Sequence, residues 1–291
     1  MSLPRATNQG MSAPGADTDR YGNPPGPDQV QRQAGTRTWA SGGLLRSYRS
    51  RNLRPAEEAV FGHHAQRLQG RVLELGCGGG RLTGHLIALG ASVHGVDIAA
   101  KMVAYCARTY PLATFGQGEL RDASSWGGGQ WNAVVAGWAL IDVLSDEERA
   151  SFFADVHDLL SPGGLLIFSS HNLACAHLVR GPLRSISAAN PLSLASQLLR
   201  LPRSYLNHRR LTPWQRFEPD YAILNGAAHD FSLLHYYITR DGQERQLARQ
   251  GFELLECLDA AGAVVGPGEE GLGSHELHYA ALRSERPSEA R

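Results

Sequence analysis

The apolar run Val72-Leu73-Glu74-Leu75 passes directly into Gly76-Cys77-Gly78-Gly79-Gly80 and then into a helix-forming stretch that begins at Arg81. Few folds accommodate that order. Glycines let the backbone take left-handed angles and let a ligand approach with no Cβ in the way, and a buried strand feeding such a turn into a helix is the opening of an α/β unit. The alternation then repeats. A helix is expected over 81–89 and stops at Gly90, 92–97 reads as a strand, and a helix over 99–110 is barred from continuing by Pro111. Strands are expected at 113–117 and 131–136, and Ser145-Asp146-Glu147-Glu148 offers a capping box to a helix that ends near 160. Ser161-Pro162-Gly163-Gly164 turns the chain into a strand at 165–169, and a helix at 239–250 with strands at 252–258 and 277–282 completes the pattern. Pro55, with Glu57 and Glu58 behind it, suits the start of a helix ahead of the first strand.

The glycine spacing restricts the ligand. A dinucleotide fingerprint needs glycines at its first, third and sixth positions, but counting from Gly76 leads to Gly78 and Arg81, and counting from Gly78 leads to Gly80 and Thr83. A NAD-dependent oxidoreductase is therefore disfavoured. No Lys-Ser/Thr pair follows the turn, which excludes a phosphate-cradling P-loop. An acid followed by alternate glycines, here Glu74, Gly76, Gly78 and Gly80, resembles the first motif of class I S-adenosylmethionine-dependent methyltransferases. The resemblance continues through Val93-His94-Gly95-Val96-Asp97, the 118–122 segment and Ser161 to Gly164, and covers about residues 55–170. Asn132 stands where the family usually has Asp.

The resemblance implies a Rossmann-like, seven-stranded, mostly parallel sheet with helices on both faces, and S-adenosyl-L-methionine as cofactor with no metal. Asp97, followed by Ile98, would hold both ribose hydroxyls, a charge-assisted contact that suits a carboxylate. Glu119 and the Leu120 amide would meet the adenine, with Asp122 in reserve, and Ala136 would close the fourth strand beside the cofactor. Tyr48 lies where related enzymes fold a segment over the methionine end, and Cys77 reads as a packing residue.

The chain has 291 residues, no formal net charge and 42% hydrophobic residues, enough for a full core. Balanced charge argues against a nucleic-acid partner. So does Ala136-Gly137-Trp138-Ala139, which replaces the Asn/Asp-Pro-Pro-Tyr/Phe run of the amino-methylating nucleic-acid enzymes. No run reaches the roughly 18 apolar residues of a membrane span and no secretory signal is visible, so a cytoplasmic location is expected. The four cysteines lack ligand or disulfide spacing and read as reduced thiols.

Residues 1–38, rich in Pro, Gly and Gln, are expected to be a disordered tail, as are 285–291. Between them lie a cofactor-binding core at 39–170, an insertion at 171–238 and a completion of the sheet at 239–284. The insertion is too long for a simple connection, and Leu192, Leu194, Ala195, Leu198 and Leu199 fall at helical spacing, so it is expected to be a mainly helical lid over the acceptor.

The function that follows is methyl transfer to N, O or C of a small molecule, anionic or aromatic, of the kind met in secondary metabolism. A protein of the same fold that binds the cofactor without transferring methyl is the alternative. Ligands of such sheets sit beyond the strands' carboxyl ends, which assigns Trp138 and Asn172 to the acceptor and makes His171 the first candidate base. From the insertion, His229 and Tyr236 are further catalytic candidates, and Arg209 and Tyr237 further acceptor contacts.

Overall fold

The protein is described by a computed structural model that covers residues 52–126, 130–186 and 190–285. The expected tail at 1–38, Tyr48, and all of the expected tail at 285–291 except Glu285 lie outside those residues. The elements run α1 (Pro55–His63), β1 (Gly70–Leu75), α2 (Arg81–Ala88), β2 (Ala91–Asp97), α3 (Ala100–Thr109), β3 (Thr114–Gln117) and β4 (Trp131–Ala136). After these come α4 (Asp146–Leu159), β5 (Leu160–Asn172), α5 (Pro191–Leu211), β6 (Arg216–Phe217), β7 (Tyr221–Leu224), β8 (His235–Ile238), α6 (Arg240–Arg249), β9 (Phe252–Leu258) and β10 (Glu276–Arg283).

Successive side chains of a strand point to opposite faces, and the core divides accordingly. Leu73, Val134, Leu166 and Phe168 meet Phe152, Phe153 and Val156 of α4 and Leu247 of α6. Val72, Val135, Leu165 and Ile167 turn the other way, onto Val60 and Phe61 of α1 and Leu82 and Leu86 of α2. Helices thus cover both faces of the sheet. The first five strands are parallel in the order β3-β2-β1-β4-β5, with β10 antiparallel on β5 and β9 antiparallel on β10. These are the seven expected strands. The capping box also forms, with Glu148 N donating to Ser145 Oγ at 3.3 Å and Ser145 N to Glu148 Oε2 at 3.0 Å.

The insertion carries one long helix, α5, and also β6, β7 and β8, which the sequence did not signal, so the sheet has ten strands among the described residues. The cause is the length of β5. Trp131 pairs with Leu160 and Ala133 with Leu165, so the Ser-Pro-Gly-Gly segment bulges out, and β5 then outruns β4, whose last pair is Ala136 with Phe168. Beyond that point His171 keeps Glu276 of β10 on one edge and takes Tyr237 of β8 on the other. β8 fills the edge that β4 leaves open, and β7 and β6 extend it as an antiparallel meander. An unpaired edge there would leave backbone groups unsatisfied, and Tyr-Ala-Ile-Leu and His-Tyr-Tyr-Ile are strand formers able to pair with it.

Phe153 is fully buried and makes edge-to-face contacts with Phe152 and Phe168 at centroid distances of 5.5 and 5.4 Å. Phe153→Ala is expected to cost about 3–5 kcal/mol of stability, read as a lower urea midpoint with an unchanged slope.

Candidate functional site

A cavity of about 320 Å³ lies beyond the carboxyl ends of β1, β2, β4 and β5, lined by the glycine turn, by 96–99, 118–121 and 137–140, and by residues of the insertion. Its wall begins at Gly76, whose φ of +63° is left-handed and whose added Cβ would reach Leu140 Cδ2 at 2.7 Å. Only glycine fits there. Beneath the turn Glu74 is buried and accepts from Thr83 Oγ1 at 2.5 Å; burial pushes its carboxyl up to about 7. Cys77 is buried and the Cys106 thiol donates to the Gly78 carbonyl at 3.1 Å, so both sulfurs serve packing.

Asp97 closes β2. Its Oδ2 accepts from Gly78 N and its Oδ1 from Ala99 N, each at 2.8 Å. A carboxylate has about four lone-pair positions, so each oxygen keeps one for a ligand while the two amides fix its direction. Burial raises the Asp97 pKa against the pull of those amides. Along the same wall Glu119 N donates to Ser125 Oγ at 3.1 Å and its carbonyl accepts from Trp126 Nε1 at 2.7 Å, which holds the 118–121 backbone against a buried indole. The Glu119 carboxylate remains part-exposed to the cavity.

The opposite end is built by two strained loops and β5. Trp138 and Ala139 take left-handed angles after β4, with Ala139 N donating to Ser169 Oγ at 2.8 Å. In the insertion His229, Asp230 and Phe231 are left-handed in succession. Asn225 Nδ2 donates to the carbonyls of Phe231 and Leu233 at 2.9 and 2.6 Å, and Asn207 Nδ2 to that of Asp230 at 2.8 Å, so side-chain amides hold the turn. Non-glycine residues in such conformations cost roughly 1–3 kcal/mol each and cluster where a site needs them.

Between these loops His171 faces the cavity. Its Nδ1 lies 2.6 Å from Asp142 Oδ2, and its backbone N donates to the same oxygen at 2.7 Å. Asp142 is fully buried and also accepts from Ser170 Oγ at 2.5 Å and Arg149 Nη1 at 2.8 Å. Burial pulls the His171 pKa down, and the hydrogen bond and charge of Asp142 more than reverse it, leaving it above the ordinary imidazole value. His235, whose ring centroid lies 5.3 Å away, is pushed down to about 3 by burial and by His171. His229 is lowered too, first by burial, so the proton belongs on His171. The guanidiniums of Arg54 and Arg81 lie 4.8 and 5.0 Å from the Trp138 ring centroid. Both cations are already paired, Arg54 with Glu276 at 2.5 Å and Arg81 in a two-point contact with Glu57.

Of the sequence candidates, Glu74, Gly76, Gly78, Asp97, Ile98, Glu119 and Leu120 line the cavity on one side and Trp138, His171 and His229 on the other. Others fall elsewhere. Gly80 caps α2 against the Tyr110 ring, and Ala136 is buried one residue short, with Gly137 in its place. Asn172 spends its amide on the carbonyls of Glu270, Gly271 and Ser274 and is buried. Strand alternation sends Tyr236 to the far face of β8, where its hydroxyl donates to Asp146 at 2.5 Å. Tyr237 is buried against the His171 ring, centroids 4.8 Å apart, and does not line the cavity. Arg209 is exposed on α5, and the reserve candidate Asp122 is exposed outside the cavity. Sequence reasoning missed Asp142, His235 and Glu276, which no motif flags; for Asp142 the only signal was a carboxylate within the apolar run Leu140-Ile141-Asp142-Val143.

Residues 72–164 match a family model described as a methyltransferase domain. Over that third of the chain the sequence is similar to methyltransferase domains. Over 95 residues the chain is 35% identical to an uncharacterised methyltransferase of Synechocystis sp., a match spanning 33% of this chain and 44% of that protein. A crystal structure of a S-adenosylmethionine-dependent methyltransferase from Clostridium acetobutylicum superposes with a TM-score of 0.55 at 11% identity, covering 83% of this chain and 95% of the other. The 1,6-didemethyltoxoflavin-N1-methyltransferase of Burkholderia thailandensis, solved with 1,6-didemethyltoxoflavin and S-adenosylhomocysteine, gives 0.55 at 14% identity over 94% of each chain. At such identities the structural likeness shows the fold alone.

Glu74 makes the fold's stability depend on pH. Its folded pKa of about 7 exceeds the ordinary 4.5, so between those values the folded chain holds a proton that the unfolded chain releases. Stability should therefore fall as pH rises from 4.5 to about 7, by about 3 kcal/mol from this group. Urea titrations across that range should show the slope, and Glu74→Gln should flatten it.

Proposed function

We propose that this chain is an S-adenosylmethionine-dependent methyltransferase that methylates N, O or C of a small-molecule acceptor, with His171 receiving the acceptor's proton. The observation that carries this reading is the Asp142–His171 pair at one end of a cavity whose other end is the glycine turn with Asp97. The residues present fit the cofactor. The Asp97 carboxylate keeps lone pairs for two ribose hydroxyls, the turn has no Cβ at Gly76 or Gly78, and Glu119 with the Leu120 amide would meet the adenine. The bound cofactor supplies a methyl carbon already activated by a sulfonium.

The protein's share is alignment and proton uptake. Fixing the acceptor's approach can contribute roughly 7–11 kcal/mol, and a positioned base about 10²–10⁴-fold. Asp142 holds Nδ1 of His171 as donor, which leaves Nε2 to take a proton from the acceptor as the new bond forms. The indole of Trp138 and three imidazoles surround that place, and its guanidiniums are already neutralised. Among the described residues no arginine of the insertion lines the cavity. These features favour an uncharged aromatic or heteroaromatic acceptor with an acidic N–H or O–H over an anionic one.

Asp97→Ala should weaken S-adenosylhomocysteine binding by roughly a hundredfold or more in isothermal titration, since two charge-assisted hydrogen bonds are lost; affinity within about twofold of the parent would move the site elsewhere. With phenolic and heteroaromatic acceptors screened for S-adenosylhomocysteine release, His171→Ala should lower kcat by about 10²–10⁴-fold while cofactor affinity holds. The kcat/KM of the parent should rise with pH through a midpoint above the ordinary imidazole value, and Asp142→Asn should move that limb to lower pH.

A further inference from the structure

Helix α5 has a face that the methyltransferase site leaves unused. Ser204 and Leu211 are buried against the body of the protein, while Leu199 is 84% exposed, Leu206 67%, Tyr205 55% and Leu198 49%. At about 100° per residue these four fall within one arc of roughly 120° on the side away from Ser204 and Leu211. Arg203 and Arg210 border the arc, Arg209 rises within it and Arg200 lies farther round, all exposed. None of the four is in an ion pair among the described residues. Leu183, in the turn packed beside α5, is 69% exposed between the exposed Arg180 and Arg184.

The charge along this segment is one-sided. From Leu159 to Phe217 there is no aspartate or glutamate, while Arg180, Arg184, Arg200, Arg203, Arg209, Arg210 and Arg216 fall inside it, in a chain whose formal net charge is zero. An exposed apolar stripe edged by arginine, on a helix with no acid, has the composition of an element lying in the plane of a lipid interface. We propose that α5 seats the insertion on an anionic phospholipid surface, with its leucines and Tyr205 in the acyl boundary and its arginines among the headgroups.

Charge decides between occupants. Residues 1–51 carry seven arginines against three aspartates, so that segment is itself positive and is repelled by α5. A second copy meeting this face across a two-fold axis would set arginine against arginine. An anionic bilayer complements both the cations and the stripe, each basic residue near such a surface adding roughly fivefold to partition. No helix among the described residues is long and apolar enough to cross a membrane, so the contact is superficial. It bears on the site, because α5 packs against the 228–231 turn, whose His229 lines the cavity.

The test is cosedimentation of the full chain with phosphatidylcholine vesicles, with and without phosphatidylglycerol, at low and high salt. Binding to the anionic vesicles alone, weakened by salt, is expected. Arg203→Gln with Arg210→Gln should reduce partition by roughly tenfold or more, and Leu199→Glu with Leu206→Glu should abolish it. All these residues are exposed and outside the cavity, so both variants should keep the parent's S-adenosylhomocysteine affinity and far-UV circular dichroism, which shows that they fold. The readout needs no methyl transfer and stands apart from the assigned activity. Failure to bind anionic vesicles, or equal binding by the leucine variant, overturns the proposal. A dimer in sedimentation velocity that the leucine variant dissolves overturns it in favour of a second copy, and binding to an acidic polypeptide but not to vesicles overturns it in favour of a protein partner.

Discussion

The buried carboxylate of Asp142 is the contact on which the site depends. It takes two hydrogen bonds from His171, one from Ser170 and one from Arg149, and both Asp142 and Arg149 are wholly removed from solvent. Arg149 in turn donates to Gln243 Oε1 at 2.6 Å and Gln246 Oε1 at 3.2 Å, and its guanidinium lies 4.3 Å from the Tyr236 ring centroid. One network therefore joins the loop after β4, the start of α4, the end of β5, strand β8 and helix α6. A charge buried without its partner costs about 3–5 kcal/mol, so these five elements hold one another in register.

That network explains why the extra strands matter. β5 could have ended with β4, and His171 would then sit on an unpaired edge. Instead β8 pairs with the last residues of β5, placing His235 beside His171 and packing the Tyr237 ring against it at a tilt. The insertion is less a lid laid over a finished site than a continuation of the sheet that supplies one of its walls. The left-handed turns at Trp138–Ala139 and His229–Phe231 both contribute to the cavity lining, and their conformational cost is offset by Ser169, Asn207 and Asn225, which bind the strained backbone.

The glycine-turn end of the cavity was readable because its geometry is local. Glycines at 76 and 78 and an acid at the end of the next strand each act within a few residues of themselves, and they lie where the spacing put them. The His171 end was not readable, because its members come from separate parts of the chain. Tyr236 and Tyr237 are adjacent in sequence and were both assigned to it; alternation along β8 turned the first to the far face and packed the second behind His171. Arg209 and Asn172 failed for a similar reason, one carried outward by the helix and the other consumed by backbone carbonyls.

By itself the sequence determined the α/β alternation, the seven core strands, the glycine turn and the placing of Asp97, since strand and helix periodicity and left-handed glycine angles are properties of short segments. Tertiary structure alone decided that β5 outruns β4, that the insertion adds three strands to the sheet, and that Asp142 lies under His171. Those outcomes depend on which backbone edges and which buried charges are left to be satisfied once the sheet has formed, and no local pattern encodes that.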